Sequence, residues 1–100
     1  MGKSIARVGA DYATTHVPLS GPPPTHTNPP YAGNGNTVYI NGYQAVALGD
    51  STTCGEVAET GSGTVFINGR KAHCNGDILD SHGHSFTPST CVASGNVYAG

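Results

Sequence analysis

The chain predicts an all-β domain built as a closed ring of three similar hairpin units. Two segments carry one pattern: Thr37-Val38-Tyr39-Ile40-Asn41-Gly42 and Thr64-Val65-Phe66-Ile67-Asn68-Gly69, each followed by a short run ending in Gly-Asp, at Gly49-Asp50 and Gly76-Asp77. Asn-Gly between β-type residues is a hairpin signal, because a type I′ turn needs φ > 0 at both central positions. A third unit is cut in two by the chain ends. Gly95-Asn96-Val97-Tyr98-Ala99-Gly100 reads as its first half with one position lost, and residues 2–9 as its second half. The segments 2–9, 42–49 and 69–76 are each bounded by glycines at one common spacing. One hairpin cannot bury its own apolar face, so three similar units imply stacking or a ring, and a split unit favours a ring with the two arms side by side.

Composition sets further bounds. One hundred residues predict a single domain, 1–100, with no room for another. Gly and Pro supply 15 and 7 residues and there is no Trp, so the core must be thin. A thin core in a small domain needs a staple: a metal, disulfides or contacts with a partner. Three cysteines, Cys54, Cys74 and Cys91, are an odd count with no signal-peptide pattern ahead of them, which argues against disulfides and for synthesis in a reducing cytoplasm. Charged residues are 10% and the net charge is -2, which excludes the clustered basic face of a nucleic-acid binder.

In chain order, residues 2–9 read as a short strand and Asp11 follows one position later than Asp50 and Asp77, displaced by Ala10. Residues 12–34 form a long connection containing Pro18, Pro22, Pro23, Pro24, Pro29 and Pro30. Prolines lack the N–H donor and fix φ, so this is an ordered or semi-rigid loop rather than sheet interior. Residues 36–49 and 64–76 are the two complete hairpins, joined by the connection 50–62. Residues 77–94 form the last connection, and 95–100 close the ring. No helix of normal length is expected; the nearest candidate, 77–81, is one turn at most.

Metal-ligand chemistry falls at matching places in the repeat. After each Gly-Asp signal comes one such residue: His16, Cys54 and His82. Equivalent loops of a ring point the same way, so these side chains should converge near the axis. A tetrahedral zinc site needs a fourth ligand, for which His26, His84 and Cys91 are the candidates. His73 and Cys74 lie inside a hairpin, matched by Val46 and Ala47, and read as sheet residues. Asp11, Asp50 and Asp77 recur at turn positions, where Asp bonds nearby backbone. Asp80, Glu56 and Glu59 complete the carboxylates, with no nucleophile elbow or phosphate loop.

The repeated Val-x-Ile-Asn-Gly, the Ala-containing run ending in Gly-Asp, and Thr52-Thr53-Cys54-Gly55 resemble the PAAR-repeat proteins, as does His82-Gly83 followed by Phe86 and Pro88. The resemblance covers essentially the whole chain. It implies a small conical fold of three pseudo-threefold hairpin repeats whose loops converge on an apical zinc (Zn2+) of structural role. It implies a non-enzymatic tip that caps the trimeric VgrG-like spike of a type VI secretion system, or the analogous phage tail spike, through the base of the cone. Such a protein is a monomer by itself and contacts the target membrane only transiently. Effector proteins are a further class of partner. It would be made in the bacterial cytoplasm and delivered outward by the machine. Carried over by position, His16, Cys54 and His82 match the ligand-bearing loops, and His26 is taken as the fourth ligand ahead of His84 and Cys91. The chain departs from the common pattern in the inserted Ala10 and in a proline-rich first loop without His-Gly-Gly. Two alternatives stand beside this reading: a small zinc-dependent hydrolase, and a free β-domain binding a glycan. Four protein ligands and no bound water would mark a structural zinc, three ligands and a water a catalytic one.

Overall fold

The computed structural model describes residues 2–18, 26–80 and 86–99. Strand β3 (Tyr39–Ile40) pairs antiparallel with β4 (Tyr43–Gln44), and β5 (Phe66–Ile67) with β6 (Arg70–Lys71). The turns between them are left-handed at both central residues: φ is 54° and 87° at Asn41 and Gly42, and 51° and 83° at Asn68 and Gly69. The third hairpin is assembled from the two ends of the chain. Strand β1 (Lys3–Ser4) pairs antiparallel with β9 (Tyr98–Ala99), Lys3 opposite Ala99 and Ser4 opposite Tyr98.

Three arms then close on one another. Arg7 bridges Ala45, Ala47 bridges Ala72, and Cys74 bridges Ile5, so each arm pairs with the next and the last with the first. At the centre the amide of Val46 donates to Ala6 (3.0 Å), that of His73 to Val46 (3.0 Å) and that of Ala6 to His73 (2.8 Å). Flanking bonds repeat the cycle: Val8 to Gln44, Leu48 to Lys71 and Asn75 to Ser4. The three turn aspartates act alike as well. Asp11, Asp50 and Asp77 each accept a hydrogen bond at 2.9 Å, from the amides of Arg7, Ala47 and Cys74 respectively. The inserted Ala10 thus shifts Asp11 in sequence but not in role.

Extended backbone sends alternate side chains to opposite faces. Ile5, Ala45, Ala47, Ala72 and Cys74 pack with the hairpin residues Ile40, Ile67 and Ala99 in one buried cluster. Ala6 and Val46 pack with Ala13, Tyr31, Leu79, Cys91 and Ala93 in another. The second cluster is roofed by a three-stranded antiparallel sheet of β2 (Tyr12–Ala13), β8 (Ser89–Val92) and β7 (Ile78–Leu79), with β8 central. The segment 77–81 is at most one helical turn by sequence; its described part, 77–80, contributes β7 instead. The reason is long-range pairing: Cys91 donates to Asp77 and receives from Gly76, both at 2.8 Å. No helix occurs among the described residues. The molecule is elongated, 38 × 23 × 21 Å.

Candidate metal centre

The proline-rich connection folds back on itself. His16 and His26 sit directly opposite, each amide donating to the other's carbonyl at 3.0 Å. Residues paired this way project their side chains to the same face of the ladder. Asn28, at φ 41°, donates its amide to Thr15 Oγ1 at 3.2 Å and steers the returning arm into register. That arm then docks on the Cys54 turn: Ala32 donates to Ser51 and Thr53 to Pro30, both at 2.9 Å. The turn is tight, with Gly55 at φ 99° donating to Thr52 (3.0 Å) and Thr52 donating to Glu56 (2.9 Å). Cys54 is thereby carried toward the two histidines.

His16 Nε2 lies 3.1 Å from His26 Nδ1 and 3.7 Å from Cys54 Sγ, and the three donor atoms are all within 4.8 Å of one another. Zinc bonds of about 2.0–2.3 Å place tetrahedral ligands roughly 3.3–3.8 Å apart, so the spacing suits a common ion. His16 Nδ1 lies 3.0 Å from the Thr14 carbonyl. Donation there leaves Nε2 with its lone pair facing the cluster, the usual orientation of a ligating imidazole. The Thr52 hydroxyl is 3.2 Å from Cys54 Sγ. Phe86 stacks on the His26 ring at 4.7 Å between centroids and meets His16 edge-on at 5.4 Å. Behind His16 lies Glu56, fully buried, with Oε2 accepting from Ser89 Oγ at 2.6 Å and Oε1 3.5 Å from His16 Nε2.

Two imidazoles and a thiol are a donor set for a borderline-soft divalent cation. The structure therefore brings together His16, His26 and Cys54 as a group able to hold a metal ion. His82 and His84 lie outside the described residues. Cys91 does not join the group: it lies on β8, buried among Ala13, Tyr31 and Leu79. Burial pushes its thiol up to about 12 and that of Cys74, in the ring, up to about 11. His73 sits at the ring centre, with Nδ1 2.8 Å from the Thr60 carbonyl and Nε2 2.8 Å from Tyr31 Oη. Burial lowers its pKa below the ordinary histidine value.

Sequence reasoning passed over the buried partners of the site, Glu56, Ser89 and the ring-stacking role of Phe86. Phe86 carried a weak signal as one of only two Phe in the chain. Nothing local separated Glu56 from the exposed Glu59.

A family model described as PAAR motif matches residues 20–83, well over half of the chain. That span contains both complete hairpins, His26, Cys54 and Glu56. No curated protein and no solved structure matches.

Proposed function

Since the chain belongs to the PAAR-motif family, we propose that it is the structural tip of a contractile injection machine, seated on a trimeric VgrG-like or phage-tail spike protein. In this reading zinc is held by His16, His26, Cys54 and a fourth ligand, His82, and the protein is carried outward with the spike.

The observation that carries the reading is the closed ring in a single chain. It presents three equivalent positions on its hairpins, Tyr39, Phe66 and Tyr98, all aromatic and 60%, 55% and 59% exposed. Their neighbours Ile40, Ile67 and Ala99 are buried in the ring core. Three exposed aromatics in threefold arrangement match what a threefold partner would offer, and aromatics anchor interfaces. The metal end supports a structural role. A catalytic zinc keeps an accessible position for water and substrate; here His16 is 1% exposed and Phe86 stacks on one face of the half-buried His26. A bound zinc supplies a cross-link that ties the long connection to the Cys54 turn.

The test is assembly. Mixed with candidate trimeric spikes, the chain should form a complex of one chain per trimer by native mass measurement. The triple variant Tyr39→Ser, Phe66→Ser, Tyr98→Ser should keep its zinc and lose that complex. Unchanged spike affinity in the triple variant, or no complex with any spike, would overturn the reading.

A further inference from the structure

We propose that Glu56 is the charge-balancing carboxylate of the metal centre, with Oε1 held toward the coordination sphere of a bound divalent cation. This rests on the metal reading above and extends it to a residue outside the His and Cys set.

Glu56 is 0% exposed, and among the described residues its Oε1 has no hydrogen-bond partner, whereas Oε2 takes the Ser89 hydroxyl at 2.6 Å. A carboxylate oxygen removed from water without a partner is costly, and such a group persists when a positive charge faces it. Oε1 points at His16 Nε2 from 3.5 Å. In the neutral ring with Nδ1 donating to the Thr14 carbonyl, that nitrogen turns a lone pair to the space it shares with His26 Nδ1, 3.1 Å away. Two electron-rich atoms therefore face each other in a buried space, with Cys54 Sγ 3.7 Å from the same nitrogen. A cation among them turns mutual repulsion into attraction.

The charge count agrees. A divalent ion bound by one thiolate and neutral imidazoles keeps one net positive charge, and one more carboxylate cancels it. Glu56 is fixed for that task. Its amide donates to Thr52 Oγ1 at 3.2 Å and its carbonyl accepts from the Thr52 amide at 2.9 Å, in the same turn that carries Cys54.

Competition titrations of the full chain with Zn2+ and, under reducing conditions, with Cu+ test this. Glu56→Gln keeps the shape and an acceptor for Ser89 but removes the charge. It should weaken Zn2+ binding by about tenfold or more, the usual scale for partners just behind a metal's ligands. Cu+ affinity should fall much less, because a monovalent ion with one thiolate is already neutral. Glu56→Asp should recover part of the Zn2+ affinity, and the exposed Glu59→Gln should leave both unchanged. Equal losses for the two ions would make Glu56 a plain structural group and overturn the proposal. Zn2+ affinity within twofold of the wild type would overturn it too, while leaving the metal reading intact. Failure of the wild-type chain to bind zinc would end both.

Discussion

Around the ring, each unit satisfies the next through backbone bonds at Ala6, Val46 and His73, and small apolar side chains fill the space between arms. At the metal end, three connections meet through His16, His26, Cys54 and Phe86, with a buried carboxylate behind them. The ring closes its own hydrogen-bond ledger. The metal end gathers two imidazoles and a thiol within reach of one shared cation. Cohesion in the ring is thus intrinsic to the chain, and at the other end a bound ion would add to it.

Metal removal should break this contrast most severely. A structural zinc contributes on the order of 10 kcal/mol of apparent folding free energy, so chelation should lower the thermal midpoint by roughly 20 °C or more. Hydrogen exchange should show where. The amides of His16 and His26 should lose protection first, while those of Ala6, Val46 and His73 persist until global unfolding. Cys54→Ser should mimic chelation, and Cys74→Ser should retain its zinc. A midpoint that ignores chelation would remove the distinction between the two ends.

Ile67→Ala attacks the other end. Ile67 is 2% exposed in the ring core, and truncating such a side chain costs about 2–5 kcal/mol. Urea unfolding should report that loss, with zinc per folded chain unchanged. A variant that loses zinc in proportion to stability would show that the two ends form one cooperative unit.

The smallest effect sharpens the ring itself. Burial holds His73 below its ordinary pKa, so the folded state resists a proton that the unfolded chain accepts. Its contribution is therefore complete above the unfolded value near 6.5. It is lost as pH falls from there toward the folded value, at no more than about 1.4 kcal/mol per pH unit. The readout is the difference between wild type and His73→Val, whose new side chain matches Val46, so that other acid-sensitive groups cancel. Urea midpoints between pH 5 and 7.5 should fall more steeply in the wild type. Parallel curves would assign the acid sensitivity elsewhere.

The hairpins were legible because their signal is local. Asn41-Gly42 and Asn68-Gly69 specify their own backbone, and the split third unit could be matched to them by glycine spacing. The aspartates were legible for the same reason. The sheet of β2, β7 and β8 was not, since β2 and β7 are two residues long and offer no alternation to read. Ile78 is 47% exposed, and long-range pairing, Ile78 with Thr90 and Leu79 with Ser89, makes its segment a strand. His26 was legible as a residue with slack to reach His16, but its ladder with His16 depends on a fold-back that no local pattern announces. Glu56 became visible only through burial, which arises when three distant connections meet.

Tyr39, Phe66 and Tyr98 are equivalent in place but not in chemistry, since one lacks a hydroxyl. On a threefold partner the chain would have three docking settings a third of a turn apart, nearly equal in energy. Mixing over them is worth at most about 0.65 kcal/mol, RT ln 3 at room temperature. The azimuth of any one tip would then be set by chance at assembly. An image reconstruction averaged over the spike's symmetry would superimpose the three arms and blur the side chains that tell them apart.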